Sequence, residues 1–235
     1  MQNVVNALRA LEEVAARQPI GVGELSRALG LPKSTVQRSL RTLHEAGWIR
    51  PAGGEVTRWL VTTKALQVGR RAELGLRDVA MPVMEELRQR TGETVHLMVP
   101  EGDAVVLIER LETDKPLRIV LPLGIRLPLH ASANGKAVLA HLPGELPPLE
   151  SYTSATITDP TVLREELAVI RAQGWAANRG EWRSDIAAVA AAVLGADGPV
   201  ATLSVSCPAT RMTDELRPEY GKLVTESAAR IAAAL

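Results

Sequence analysis

The sequence contains a single cysteine, Cys207, so it cannot form an internal disulfide framework, and a reducing cytoplasm is the expected environment. It also lacks a long apolar run. The longest stretch without a charged residue is thirteen residues, 198–210, and it includes two prolines and a glycine, which excludes a membrane-spanning helix there. The first residues lack the basic segment and the apolar core of a signal peptide, so we expect no secretion.

The composition is that of a globular protein, with 46% hydrophobic and 23% charged residues. A chain of 235 residues is long enough for two domains. The formal net charge is zero, but the charges are unevenly distributed. Residues 1–64 contain nine Lys or Arg and five Asp or Glu residues, a balance of +4, which leaves −4 for the rest of the chain. A basic N-terminal segment on an acidic body favours a polyanion as the partner of that segment.

The N-terminal residues show the pattern of a helix-turn-helix that is followed by a β-hairpin. Apolar residues at three- and four-residue steps predict a first helix that ends before Pro19, and a short second helix is expected at 23–29. Gly30 permits a sharp turn, after which a third helix is predicted at 32–46. Aromatic and β-branched residues within 48–61 then predict a two-stranded wing.

The predicted third helix has two different faces. Val36, Leu40 and Leu43 share one face, and polar or basic residues occupy the other. Arginine binds guanine edges or phosphates, glutamine binds adenine, and hydroxyl groups bind phosphate oxygens. The residues predicted to contact DNA are Lys33, Ser34, Thr35, Gln37, Arg38, Arg41, Arg50 and Arg58, of which the last two belong to the wing. An ordinary solvated surface also contains arginines, so the prediction of DNA binding rests on the order of the helices, the turn and the wing.

The rest of the chain predicts helices first and then a mixture of strands and helices. Pro82 favours two successive helices between Thr63 and Arg90 over one, the first at about 64–77. Residues 187–192 are rich in alanine and are interpreted as a buried strand, although their propensity also fits a helix. Strands are predicted at 94–99, 104–109, 117–121, 186–194 and 200–206, and helices at 132–142, 160–173 and 213–235. Hairpins covered by helices are typical of an α+β domain.

Residues with the potential for catalysis or metal binding are scattered. The four histidines lack metal-ligand spacing, so we expect no metal and no cofactor. Cys207 with His130 would suit a thiol nucleophile, but a lone cysteine beside a proline is more often a small buried residue. Glu181 and Asp185 are close in sequence, yet this spacing in a predicted loop does not define a carboxylate pair.

Five segments, in the same order, closely resemble the IclR-type bacterial transcriptional regulators. They are Gly30–Arg38, Leu43–Ile49, Thr63–Gly69, Pro128–Ala137 and Ser204–Pro208, and they extend over almost the whole chain. The resemblance implies a winged helix-turn-helix DNA-binding domain at 1–63, a linker helix at 64–78 and an effector-binding and oligomerisation domain at 79–235. The expected fold class is α+β, with an all-α winged helix-turn-helix domain followed by a GAF-like α/β sandwich that has an antiparallel sheet.

The resemblance also implies an effector pocket between the sheet and a helix that starts near Ala133. The matching positions are Leu121, Ala133, Asn134, Asn178, Ile186, Ala188, Ser204 and Ser206. Two hydroxyls and two amides in an apolar cup are typical of a ligand pocket. Alternating Ser204 and Ser206 would equally well form local hydrogen bonds on one face of a strand. Cys207 stands where the family usually has glycine.

We therefore expect a cytoplasmic transcriptional regulator, such as a repressor, whose affinity for duplex operator DNA changes with a small organic effector. The effector is expected to be a carboxylate or an aromatic compound, and the protein a homodimer or tetramer without a membrane partner. The alternative is a GAF-like enzyme acting on a small organic acid, which requires a nucleophile or a paired acid and base. A DNA-architectural protein without a ligand would leave the acidic body unexplained.

Overall fold

In the computed structural model, which describes residues 2–54, 56–72 and 75–235, the N-terminal unit ends at Leu74 and the C-terminal unit begins at Gly75. The helices of the N-terminal unit are α1 (Gln2–Arg17), α2 (Val22–Leu29), α3 (Lys33–Glu45) and α4 (Lys64–Ala72). Its strands are β1 (Ile20–Gly21), β2 (Ile49–Ala52) and β3 (Arg58–Val61). They form an antiparallel sheet in the order β1-β3-β2.

The N-terminal unit confirms the predicted winged helix-turn-helix. Helices α1, α2 and α3 and the sheet enclose one core, which consists of Ala10, Val14, Ile20, Leu25, Val36, Leu40, Leu43 and Ile49. Gly30 ends α2 in the left-handed conformation, with φ of 64°, which glycine adopts without a steric penalty. The Ser26 hydroxyl donates to the Leu31 carbonyl over 2.6 Å and stabilises the same turn. In addition to the two predicted strands of the wing, β1 forms a third strand of the sheet.

The C-terminal unit contains one six-stranded antiparallel sheet. Its helices are α5 (Leu76–Thr91), α6 (Ala133–Leu139), α7 (Pro160–Gln173) and α8 (Leu216–Ala233). Its strands are β4 (Thr94–Glu101), β5 (Ala104–Leu111), β6 (Arg126–Pro128), β7 (Ala176–Arg179), β8 (Ile186–Gly195) and β9 (Gly198–Pro208). The order across the sheet is β6-β5-β4-β9-β8-β7. The predicted α+β class is confirmed, and the alanine-rich segment forms the middle of β8.

Each face of this sheet packs against its own pair of helices. Ala201, Leu203, Val205 and Cys207 of β9 face α5 and α8. The alternate residues of β9 are polar and lie on the face covered by α6 and α7, as do Ala188 and Ala190 of the neighbouring strand. Successive side chains of a strand point to opposite faces, so the sequence period of two separates an apolar core from a partly polar one.

Two predicted elements differ from the structure. The predicted helix at 64–77 is interrupted: α4 ends at Ala72, α5 begins at Leu76, and residues 73 and 74 lie outside the described residues. Pro82 lies inside α5 and does not break it, because a buried face that includes Val83, Met84 and Leu87 stabilises the helix and offsets the lost hydrogen bond.

The predicted strand at 117–121 is wrong. These residues form no regular structure, although the side chains of residues 118–121 still alternate between exposed and buried. Guanidinium groups take the place of a neighbouring strand: Arg211 donates to the Leu117 carbonyl over 3.0 Å, and Arg110 donates to the Leu121 carbonyl. The edge of the sheet is completed by β6 instead, which pairs with the start of β5.

Helix α6 lies unusually close to the chain that precedes it. A Cβ atom on Gly135 would lie 2.5 Å from the Leu129 Cα, so only glycine permits this approach. Ser132 is the N-cap of α6: its Oγ accepts from the Gly135 amide over 3.0 Å and donates to the Pro128 carbonyl over 2.7 Å. The start of α6 therefore has a narrowly defined position over the polar face of the sheet.

Candidate functional site

The exposed face of α3 carries the residues that the sequence predicts to contact DNA. Val36, Leu40 and Leu43 are buried in the core of the N-terminal unit, which leaves the opposite face to solvent. Lys33, Ser34, Gln37, Arg38 and Arg41 are exposed, and Thr35 is half-buried beside them. The helix thus presents three cations, an amide and a hydroxyl on one side, which are the groups that bind phosphates and base edges.

The two arginines of the wing have different environments. Arg50 on β2 is exposed. Arg58 on β3 donates from Nη2 to both carboxylate oxygens of Glu24, over 2.9 and 3.2 Å, and from Nε to the Pro19 carbonyl over 3.0 Å. The carboxylate of Glu24 also accepts from the Gly21 amide, and this bond, together with Arg58, lowers the pKa of Glu24. Arg58 therefore joins β3 to the start of α2.

A cavity lies between the start of α6 and the polar face of the sheet in the C-terminal unit. Seven of the eight residues implied for the effector pocket line it: Leu121, Ala133, Asn134, Asn178, Ile186, Ala188 and Ser206. His96, Met98, Leu127, Ser132 and Trp182 complete the lining. The cavity has a volume of about 20 Å³, which is room for about one water molecule. An organic ligand therefore requires its walls to move apart.

Ser204 does not line this cavity. It is fully buried, and its Oγ accepts from Asn134 Nδ2 over 3.0 Å. Asn134 Oδ1 accepts in turn from Thr202 Oγ1 over 2.9 Å, so both ends of this amide are bonded to β9. Asn178 donates from Nδ2 to the Ala131 carbonyl over 2.5 Å. Three of the polar residues implied for the pocket thus form hydrogen bonds within the protein.

His96 is a polar residue of the cavity that the sequence did not assign to the effector pocket. It is fully buried on β4, its Nδ1 lies 3.2 Å from Ser206 Oγ, and its Nε2 has no hydrogen-bond partner. Burial lowers the pKa of His96 to about 4. Strand alternation could have placed His96 and Met98 on one face, but the pairing of β4 with β9 brings in Ser206 from 110 residues away.

A buried ion cluster lies at the middle of α6. The ammonium group of Lys136 is fully buried and contacts Glu181 at 2.7 and 2.8 Å and Glu166 of α7 at 2.6 Å. Burial raises the pKa of Glu181, and the attraction of Lys136 opposes that change. This cluster joins α6 to α7 and to the loop between β7 and β8.

The residues considered for catalysis do not come together. Cys207 lies in the core that faces α5 and α8, and burial raises the pKa of its thiol to about 11. His130 Nε2 lies 2.8 Å from the Glu150 carbonyl. Asp185 pairs with Arg183 rather than with Glu181. Within residues 2–54, 56–72 and 75–235, no group of three His, Cys, Asp or Glu side chains is arranged to bind a metal ion.

Comparison with known proteins gives the same picture for both units. The protein-family model described as "IclR helix-turn-helix domain" matches residues 3–53 of the sequence. The family model described as "Bacterial transcriptional regulator IclR C-terminal" matches residues 71–233. The chain belongs to the IclR family. The transcriptional repressor IclR of Escherichia coli strain K12 is 30% identical over 98% of this chain and 89% of its own length. The repressor AllR of Klebsiella pneumoniae is 36% identical over 91% and 82%.

Solved structures of the IclR family share the fold. An IclR homolog from Microbacterium hydrocarbonoxydans, complexed with 4-hydroxybenzoate, matches with a TM-score of 0.86 and 26% identity over 99% of this chain and 98% of that one. The predicted family, fold class and regulatory function are therefore confirmed, and this IclR-family protein is a transcriptional regulator. Among its described helices, none combines the length and the apolar content needed to cross a membrane.

Proposed function

We propose that this regulator binds duplex operator DNA through α3 and the wing, as a homodimer or tetramer. The observation that carries the proposal is the exposed row formed by Lys33, Ser34, Gln37, Arg38 and Arg41, opposite the buried face of α3. A helix of this kind fits the major groove, where arginine and glutamine distinguish base pairs. Arg50 extends the basic surface onto the wing, which suits a contact with the phosphate backbone.

The DNA interface is tested with an operator selected from a pool of random duplexes. Arg38→Ala and Arg41→Ala should each weaken specific binding by about 1–3 kcal/mol at fixed salt if the side chains contact bases. Arg164→Ala is the control, because Arg164 is an exposed arginine of the C-terminal unit. Unchanged operator affinity in both α3 variants, measured by fluorescence anisotropy, would show that α3 is not the recognition helix.

We infer that oligomers form without DNA. Two half-sites in successive major grooves require a protein with two-fold symmetry. Leu66 and Val68 of α4 are about half exposed, which is more apolar surface than a short connecting helix needs. Analytical ultracentrifugation at micromolar concentration should therefore show a species of at least twice the 25.2 kDa chain mass. A monomer under these conditions would contradict this inference.

The cavity beside α6 is the proposed effector site, and its ligand a compact carboxylate or a small aromatic acid. Support comes from its mixed lining and from the 4-hydroxybenzoate complex of the structural relative. An effector that stabilises an opened cavity shifts the protein toward that conformation, and it changes DNA affinity to the extent that the two conformations bind DNA differently. Native mass spectrometry of the purified protein tests for a retained ligand.

We propose that the protein regulates without catalysing a reaction. The buried Cys207 thiol, whose pKa is raised to about 11, is a poor nucleophile, and His130 is bonded to a carbonyl rather than to an acid or a nucleophile. Incubation of the protein with each ligand that it binds, followed by mass spectrometry of the ligand, should show no turnover. The DNA that it would control lies in the cytoplasm, which is the proposed location.

A further inference from the structure

His96 is the one titratable residue among the described residues that line the cavity. The other polar groups there are two hydroxyls, two amides and the indole N–H of Trp182, and no Asp, Glu, Lys or Arg side chain belongs to the lining. A fully buried ring nitrogen without a partner is costly, because burial removes its bonds to water. Nε2 of His96 therefore has an unused bonding position at the wall of the proposed effector site.

The hydrogen bond between His96 and Ser206 determines what this position offers. In one neutral tautomer, Ser206 donates to Nδ1, and Nε2–H is the donor that remains. In the other, Nδ1–H donates to Ser206, so the Ser206 hydroxyl remains as a donor and Nε2 as an acceptor. Each neutral form thus offers the cavity only one donor from the pair. The imidazolium offers the cavity two donors. Its Nδ1–H donates to Ser206, so Nε2–H and the Ser206 hydroxyl both remain available.

A carboxylate has acceptors only, and each of its oxygens needs a donor. The neutral His96–Ser206 pair provides one donor, whereas the protonated pair provides Nε2–H and the Ser206 hydroxyl side by side. Charge-assisted hydrogen bonds of this kind are shorter and stronger than neutral ones. We propose that His96 contacts the effector directly, donates its Nε2–H to a carboxylate oxygen, and takes up one proton from solvent as the effector binds. This inference rests on the proposed effector site.

Burial and a neighbouring arginine keep His96 neutral until the effector arrives. Without a ligand, burial and then the charge of Arg110, which pairs with His96 across β4 and β5, lower the pKa of His96 to about 4, although Glu112 opposes this effect. Glu112 accepts from Arg110 Nε over 3.1 Å, and the charge of Lys136 on α6 is paired with Glu166 and Glu181. The neighbouring residues of β9 and β8 are uncharged. A carboxylate in the cavity would be the nearest unpaired anion.

This arrangement predicts selection between acids and their neutral relatives. An amide of the same shape replaces one acceptor oxygen with a donor, so it does not stabilise the imidazolium. The acid should bind more tightly as the pH falls from 7.5 to 5.5, by about tenfold, because an adjacent carboxylate raises the pKa of histidine by about 1–3 units. The amide should show no such dependence on pH.

The experiment uses the full-length protein and isothermal titration calorimetry. The probes are acetate, propionate, butyrate, lactate, benzoate and 4-hydroxybenzoate, each paired with its amide. Titrations of each acid that binds, at pH 6 in two buffers of different ionisation enthalpy, give the number of protons taken up. We expect more than half a proton for the wild-type protein and none for His96→Gln. His96→Gln should also bind the acid about tenfold more weakly at pH 5.5. His141→Gln, a half-buried histidine outside the cavity, is the matched control.

Ala188→Leu separates failure of the site from failure of this inference. Ala188 lines the cavity, and a leucine there fills it. If no acid of the panel binds, or if Ala188→Leu binds an acid as the wild type does, the proposed effector site is wrong, and the role of His96 with it. If the acid binds and Ala188→Leu abolishes binding, but wild type takes up no proton and His96→Gln binds equally well, the site stands and the inference about His96 is wrong.

Discussion

The side-chain amide of Asn134 donates from Nδ2 to Ser204 Oγ over 3.0 Å, which joins the start of α6 to the middle of β9. Ser206, two residues further along the same strand, lines the cavity and lies 3.2 Å from His96 Nδ1 instead. Two serines that look equivalent in the sequence therefore have different roles. Ser204 stabilises the position of α6, and Ser206 belongs to the wall that a ligand would contact.

Ser204→Ala and Ser206→Ala should consequently affect different measurements. Ser204→Ala leaves the Asn134 amide buried without its acceptor, so it should lower the free energy of unfolding by about 1–3 kcal/mol. Ser206→Ala should weaken effector binding by about 0.5–1.5 kcal/mol, and by up to about 3 kcal/mol for a charged ligand. Urea unfolding and calorimetric titration measure the two effects. An equal loss of effector affinity in both variants would contradict this division.

Substitutions of Arg58 and of Arg38 should likewise affect different measurements. Arg58→Ala removes the pair with Glu24, whose two side chains are about half exposed, so the free energy of unfolding should fall only slightly. Glu24→Gln should have a similar effect, since it weakens the same pair. Neither variant should change the salt dependence of operator binding, whereas Arg38→Ala should weaken binding itself. A decrease of about one in the salt slope for Arg58→Ala would show that Arg58 contacts a phosphate.

Lys136→Met should destabilise the C-terminal unit strongly. It leaves the carboxylates of Glu181 and Glu166 without their buried cation, and removal of one partner of a buried pair costs about 3–5 kcal/mol. Burial already raises the pKa of Glu181, and loss of Lys136 raises it further. When a carboxyl group has a higher pKa in the folded state than in the unfolded state, the protein loses stability as the pH rises above the unfolded pKa.

The defect of Lys136→Met should therefore be larger at pH 8 than at pH 5, as measured by urea unfolding at both values. The double variant Lys136→Met with Glu181→Gln provides the control, because it removes one of the two uncompensated charges and should recover part of the stability. A defect that is the same at both pH values in the single variant would show that the lost charge of Lys136 is not its cause.

His96 should make the ligand-free protein less stable in mild acid. Its pKa is about 4 in the folded protein and about 6.5 when unfolded, so the unfolded chain takes up the proton first. The free energy of unfolding should then fall between pH 6.5 and pH 4, by up to about 3 kcal/mol from this residue. His96→Gln should show a shallower decline in the same range. Parallel unfolding curves for the two proteins against pH would exclude this contribution.

Local patterns in the sequence were enough to predict most elements. The 3.6-residue period defined α1 and α3, Pro160 marks the first residue of α7, and Gly30 marks the turn of the helix-turn-helix, because each of these signals acts within a few residues. The two-residue period likewise placed Ser204 and Ser206 on one face of β9. Resemblance to the IclR family then supplied the effector positions, seven of which surround one cavity in the structure.

Long-range contacts explain what these patterns did not predict. Residues 117–121 were predicted as a strand but lack a neighbouring strand, because Arg211 and Arg110 bind the carbonyls of Leu117 and Leu121. Pro82 resembles a helix breaker, yet the buried face of α5 stabilises the helix through it. The short strand β7 was not predicted, since four residues carry little periodicity and its pairing with β8 defines it.

The sequence by itself determined the order of the elements, the basic outer face of α3 and the family, since composition, periodicity and motifs are properties of the chain alone. Only the tertiary structure decided the contacts of His96, Ser204 and Arg58. Each of these depends on a partner far away in the chain: Ser206 for His96, Asn134 for Ser204 and Glu24 for Arg58. The pairing of β4 with β9 and the packing of α6 bring buried polar groups together, and burial then decides which of them remain free to bind a ligand.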